Sequence, residues 1–179
     1  LYKPKSEGKT SGYLIAVRVD GDYAIVDTRL QMSLFELALE KDVFPWLKGF
    51  RLERRNVRYA SSYFDYLLKK GSTELLLEVK SATHVEGSVA LYPDAPTKRG
   101  KKHVVELTRL AGKGLRAALY FLAAHPRAEA FRVFREVDGD LHQAVLRAIE
   151  SGVDVKAIKI AMDRGLRVYV DPTPLPVAW

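Results

Sequence analysis

The sequence predicts an α/β domain with a central mixed β-sheet flanked by helices, preceded by a short β segment. Three observations predict it. Three candidate strands follow one another near residues 51–59, 62–69 and 74–82, as in an antiparallel meander. Helix-spaced apolar residues lie before and after that meander. A further strand and a hairpin are readable in "VDVKAIKIAM" and "LRVYV" near the C-terminus.

In chain order, "GYLIAVRVDGDYAIVDT", residues 12–28, alternates apolar positions around Asp20–Gly21, the signal of a hairpin. The sequence offers it no obvious partner sheet. The chain opens on Leu1 rather than Met, and residues 1–30 are too few for an independent β domain, so a missing N-terminal portion is expected. "QMSLFELALEKDVFPWL" sets Met32, Leu34, Phe35, Ala38 and Leu39 at helical spacing and predicts an amphipathic helix that ends before Pro45. The meander follows, with Lys69–Ser72 as its last turn. Beyond "YPDAPTKRG" a helix runs to about Leu110. "LRAALYFLAA" reads as a buried strand, although its alanines would also suit a helix. "DLHQAVLRAIESG" is a helix closed by Gly152, "VDVKAIKIAM" is a strand, and "LRVYV" pairs with it across Asp163–Gly165. The tail is rich in proline, and no internal repeat or low-complexity segment is present.

Composition narrows the chemistry. A chain of 179 residues, 47% hydrophobic, can bury one ordinary core or a core with a small appendage. No apolar run reaches the roughly 18 to 20 residues of a membrane span, and "LYKPKSEGKT" lacks the apolar stretch of a signal peptide, so no membrane partner and a cytoplasmic location are expected. With no cysteine, disulfides, cysteine-type zinc clusters and thiol nucleophiles are excluded, which leaves carboxylates, histidines and lysines. One Asn, two Gln and 28% charged residues lean towards a heat-adapted source. The net charge of +7 favours a polyanionic partner, because positive surfaces attract phosphate backbones and release counterions. The positive charges cluster in Lys48–Arg58 and Thr97–His103, as on a binding face.

One cluster of charges stands out. "ELLLEVKS" puts Glu78 and Lys80 two residues apart at the end of an apolar run, so on a strand both project to one face while Val79 packs on the other. "YFDYLL" carries Asp65 inside another apolar run, and counting outward from the Lys69–Ser72 turn brings Asp65 near Glu78 or its neighbours. Two carboxylates that close repel unless a divalent cation lies between them, and oxygen ligands suit Mg²⁺ or Mn²⁺. A lysine beside such a cation can orient an attacking water or stabilise charge on a phosphate. The plainer reading is a Glu78–Lys80 ion pair with Asp65 matched to a nearby arginine. In the second cluster, Lys98, Arg99, Lys101 and Lys102 occupy the first turns of a helix capped by Thr97, where the helix dipole disfavours cations. A bound anion such as a DNA phosphate resolves that conflict.

"FDYLL", "LLEVKSATHVEG", "LYPDAPTKRGKKHVVEL" and "GVDVKAI" together resemble the sugar fermentation stimulation protein A family over residues 28–170. The long ungapped "PDAPTKRGKKH" block is far more specific than the Glu-x-Lys pattern. The resemblance implies a restriction-endonuclease-like core at residues 30–179, a remnant of an N-terminal OB-like β domain at residues 1–29, and DNA as the partner. It matches Asp65, Glu78 and Lys80 to the acidic and lysine positions of a nuclease core, and Arg99, Lys102 and His103 to the family's basic segment. Asp65, Glu78 and Lys80 are thus the expected catalytic residues. Asp65 and Glu78 are the expected Mg²⁺ or Mn²⁺ ligands. Glu36 on the first helix is a further candidate ligand, with Glu40 competing about one turn along. DNA or phosphate contacts are expected at Lys98, Arg99, Lys102 and His103, and at Arg54 and Arg55 in the first cluster. Asp94 imitates the "PD" of a nuclease signature but follows Glu-x-Lys in the chain, so Asp65 is the better first acid.

Two departures from the family pattern are expected from the resemblance: residues 1–28 correspond only to the last strands of the OB-like domain, and Tyr63 stands where a basic residue is expected. His84, His125 and His142 have no ligand spacing, Trp46 and Phe50 read as packing, and base stacking by Tyr13, Tyr23 or Tyr59 ranks second to strand packing. These expectations lead to a metal-dependent DNA endonuclease. The alternative is a non-catalytic DNA-binding regulator of sugar (maltose) metabolism.

Overall fold

The computed structural model describes residues 1–4, 10–59 and 61–178; positions 5–9 of the predicted N-terminal β remnant lie outside them. Strands β1 (Tyr2–Pro4) and β2 (Gly12–Leu14) form a small antiparallel sheet. The predicted hairpin is β3 (Ala16–Val19) and β4 (Asp22–Ile25), turned by Asp20 and Gly21 with φ of 51° and 99°. Positive φ at both central residues gives the turn the twist of the strands it joins. The partner that the sequence did not reveal is β12 (Asp154–Met162), which pairs Met162 with Tyr23 and takes the hairpin into the main sheet.

Helix α1 (Thr28–Glu40) starts three residues before its expected span, because the Asp27 carboxylate accepts the N–H groups of Arg29 and Leu30 and caps it there. It stops at Glu40, and a short 3-10 helix, Pro45–Leu47, follows. The meander is β5 (Arg51–Tyr59), β6 (Ser62–Lys70) and β7 (Thr73–Ala82), at its expected places. Then come β8 (His84–Glu86), β9 (Val89–Tyr92), α2 (Lys98–Ala111), β10 (Ala117–Ala123), β11 (Ala130–Val133), α3 (Gly139–Glu150), β12, β13 (Val168–Val170) and β14 (Val177–Ala178).

The main sheet runs β3-β4-β12-β10-β7-β6-β5, with β13 also on β12. It is mixed: β10 is parallel to both β7 and β12, while the meander and the β12–β13 hairpin are antiparallel. Every residue of β10 is buried, as a central strand covered on both faces requires. On one face Phe35, Phe44, Tyr66, Leu77 and Tyr120 pack beneath α1. On the other, Phe64, Leu67, Leu76, Phe121 and Phe131 pack with Val104 and Leu107 of α2 and Val145 of α3. A second sheet, β14-β11-β9-β8, was not read from the sequence. Its strands hold two to four residues each, too few to show a period of two, and Gly87 and Pro93 interrupt the pattern. Among the described residues no helix is long and apolar enough to cross a membrane.

Candidate metal and nucleic-acid site

The site lies where β6 and β7 part. Their ladder ends at Tyr66–Leu77, one step short of Asp65 and Glu78. Strict alternation breaks across Asp65, since Phe64 packs on the α2 side of the sheet and Tyr66 on the α1 side. Strand β5 is irregular at the same level: its ladder passes from Arg55–Tyr66 to Val57–Phe64, skipping Asn56 at φ 51°. The irregularity lets the Asp65 carboxylate turn towards β7, where Oδ2 accepts the Val79 N–H at 2.8 Å. A side chain thus satisfies an amide that the parted ladder leaves open.

Glu78 is only 2% exposed. Its Oε1 accepts from Lys80 Nζ in a short ion pair and from His103 Nδ1 at 2.5 Å. Its Oε2 is buried with no hydrogen-bond partner among the described residues. Trp46 Nε1 and Ser62 Oγ share that condition, but neither carries charge. Burial pushes the Asp65 carboxyl up to about 6; the Glu78 charge adds to the rise, and the Val79 N–H, Lys80 and His103 oppose it. Tyr92 on β9 borders the site, pushed up to about 12 by burial and then by the charges of Glu78 and Asp94.

Helix α2 delivers the basic residues. Thr97 Oγ1 accepts the Gly100 N–H at 3.0 Å and caps the helix as expected. Lys98, Arg99 and Lys102 are exposed, Lys102 reaching the Ser61 carbonyl at 3.3 Å, whereas Lys101 pairs with Asp140 at 2.7 Å. Thr97 is fixed in turn by Asp138, whose carboxylate accepts the N–H groups of Thr97 and of Leu141 in α3.

The structure brings Asp65, Glu78, Lys80 and His103 together, gives His103 a different role from the one expected, and places Glu36 and Arg55 elsewhere. His103 is buried and bonded to Glu78, where a DNA or phosphate contact was expected. The signal was in the sequence: His103, Val104, Leu107 and Leu110 recur at helical spacing on the inward face. Glu36 accepts both guanidinium bonds of Arg55, at 2.9 and 2.7 Å, and the Tyr66 hydroxyl at 2.9 Å, all on the α1 side of the sheet. These donors hold its carboxyl below the usual range, Arg55 first. Arg55 is therefore tied to Glu36, while Arg54 pairs in register with Leu67 on the α2 side and is exposed. Tyr63 is exposed opposite Arg58. Asp94 is exposed close to Tyr92. Tyr92 itself escaped sequence reading because its strand did. Among the described residues no group of three or more His, Asp or Glu side chains gathers as a ready metal cage, so the site offers two carboxylates.

A central mixed sheet with helices on both faces defines an α/β domain, and two acids and a lysine lie where its meander opens. The family model described as the Sugar fermentation stimulation protein RE domain matches residues 29–165, and the chain belongs to the sugar fermentation stimulation protein family. The chain is 39% identical to the homolog from Pyrococcus furiosus over 160 residues, which cover 89% of this chain and 70% of that one. It is 40% identical to the homolog from Archaeoglobus fulgidus over 156 residues, 87% and 66% of the two chains. The solved structure of Pyrococcus furiosus SfsA in complex with Ca²⁺ matches with a TM-score of 0.94 at 35% identity, over 99% of this chain and 77% of that chain.

Proposed function

We propose that the protein binds DNA and hydrolyses its phosphodiesters with a divalent cation, Mg²⁺ or Mn²⁺, held by Asp65 and Glu78. The observation that carries this reading is the buried Glu78 Oε2, a carboxylate oxygen without a hydrogen-bond partner among the described residues, beside the half-buried carboxylate of Asp65. Mg²⁺ is characteristically bound by one or two carboxylates together with waters and substrate phosphates, so a two-acid site fits it. The Ca²⁺ complex of the Pyrococcus furiosus relative supports a divalent ion in this family.

When bound, the cation supplies Lewis-acid polarisation of a phosphate and of water. The chain's own residues do the rest. Asp65 and Glu78 supply the negative charge that fixes the ion. Lys80 offsets the charge of Glu78 and lies within reach of a proton or of charge developing on a phosphate. Lys98, Arg99, Lys102 and Arg54 hold the DNA backbone, which places the scissile group without reading base sequence.

A second reading, a DNA-binding regulator without turnover, is favoured by one observation: Lys80 is engaged by Glu78 and has 13% of its side chain exposed. Cleavage of supercoiled plasmid with Mg²⁺ or Mn²⁺, comparing the parent with Asp65→Ala and Lys80→Ala, separates the two. Cleavage lost in both variants supports hydrolysis. Salt-sensitive DNA retardation without cleavage supports the regulator.

A further inference from the structure

Glu78 carries one saturated oxygen and one free one, and the residue responsible for that asymmetry sits on α2. Lys80 and His103 both donate to Oε1, while Oε2 is buried with no hydrogen-bond partner among the described residues. We propose that His103 is a positioning residue: its Nδ1–H, fixed on Oε1, orients the Glu78 carboxylate and leaves Oε2 as the oxygen that would hold the divalent cation. This rests on the metal site proposed above and assigns its geometry to a residue outside the ligand set.

The surroundings of His103 suit that task. An ionised carboxylate only accepts hydrogen bonds, so Nδ1 carries the proton in this contact. The ring is 7% exposed and lies against Phe64, centroids 5.8 Å apart and planes inclined at 55°. A buried ring with two side-chain torsions holds its donor more firmly than a lysine on a four-carbon stem. The depth at which α2 enters is set by Gly100: a Cβ there would come within 2.7 Å of Thr97 Cγ2 and 3.0 Å of the Tyr92 hydroxyl. Glycine at position 100 thus lets the first turn of α2 lie against Thr97 and Tyr92 without either side chain giving way, and His103 follows one turn later. Lys80 supplies the charge compensation, which leaves direction as the contribution of His103. Groups that donate to a metal ligand and fix its orientation commonly change metal affinity severalfold to a hundredfold when removed.

The test is calorimetric titration of Mn²⁺ into the full chain and into His103→Asn, His103→Gln and His103→Ala, each with its metal-free Tm measured alongside. The Asn amide nitrogen is as far along the side chain as Nδ1, and that of Gln is one bond further. The expected result is Mn²⁺ affinity within about 3-fold of the parent for Asn, and about 10- to 100-fold weaker for Gln and Ala. Because Asn and Gln are compared at similar metal-free Tm, a merely structural role would not separate them. Equal affinity in all four chains, or Asn as weak as Gln, overturns the role of His103 while leaving the metal site standing. A parent chain that takes up no Mn²⁺ overturns the metal reading and this inference with it.

Discussion

The Asp65 carboxylate and the Val79 amide are joined by a 2.8 Å hydrogen bond across the gap where β6 and β7 part. The bond fixes Asp65 next to Glu78 in a place where burial and like charge both oppose its ionisation. Stability is therefore given up at the carboxylate pair proposed to hold the ion, and the cost is measurable.

Burial pushes the Asp65 carboxyl up to about 6 from an ordinary 3.8, so between those pH values the folded chain holds more protons than the unfolded one. The contribution of Asp65 is most favourable below pH 3.8 and is lost as pH rises through 6. Asp65→Asn is expected to stabilise the metal-free protein above pH 6 by about 2 to 3 kcal/mol, with the gain vanishing near pH 4. Urea unfolding at pH 4 and pH 7 checks both the size and the sign.

Mn²⁺ is expected to raise the Tm of the parent at pH 7 and to leave that of Asp65→Asn unchanged, since a ligand that binds only the folded state stabilises it by mass action. Thermal scans with and without EDTA read this directly. A similar rise in both chains would place the ion elsewhere.

Lys80→Met removes one of the two donors on a buried carboxylate, whose side chain is 3% exposed. The expected loss is about 3 kcal/mol, because an uncompensated charge stays inside. The double variant Glu78→Gln with Lys80→Met should recover much of it, and denaturant midpoints of the single and double variants form the cycle that tests this.

Arg99→Ala and Lys102→Ala alter exposed cations and should leave Tm nearly unchanged. Each is expected to weaken DNA binding uniformly across sequences and to reduce the slope of log affinity against log salt by about 1. Retardation at several salt concentrations measures it. Lys101→Ala, whose ammonium is already paired with Asp140, should change that slope less.

Glu36→Gln is expected to lower Tm slightly and to leave Mn²⁺ affinity unchanged, because its carboxylate serves Arg55 and Tyr66 on the other side of the sheet. Calorimetry on the variant decides between this role and that of a third ligand.

The parts of the fold legible in the sequence were those governed by long periodic runs. Strands β5, β6, β7, β10 and β12 and helices α2 and α3 declared themselves through such runs, and β10 could be told from a helix although alanine suits both. The second sheet was illegible because strands of two to four residues carry no period and are held by neighbours distant in the chain, as β14 is by β11. For the site, counting from one turn was enough to bring Asp65 to Glu78. Glu36 could not be placed in the same way: the side of the sheet that α1 covers is settled by packing of Phe35 on Tyr66, with ring centroids 5.7 Å apart, and no local pattern encodes that contact. Arg54 and Arg55 look alike in sequence, yet a bulge between Leu52 and Arg54 decides which of them meets α1.

Strand β7 meets its second neighbour, β10, only in parallel, and α2 lies in the connection between the two. That crossover places His103 against Glu78 and β10 alongside β7. The crossover brings both in one step of long sequence separation, the kind of step that slows folding. The arrangement of Asp65 and Glu78 therefore depends on contacts made far along the chain as well as on the meander that carries both acids.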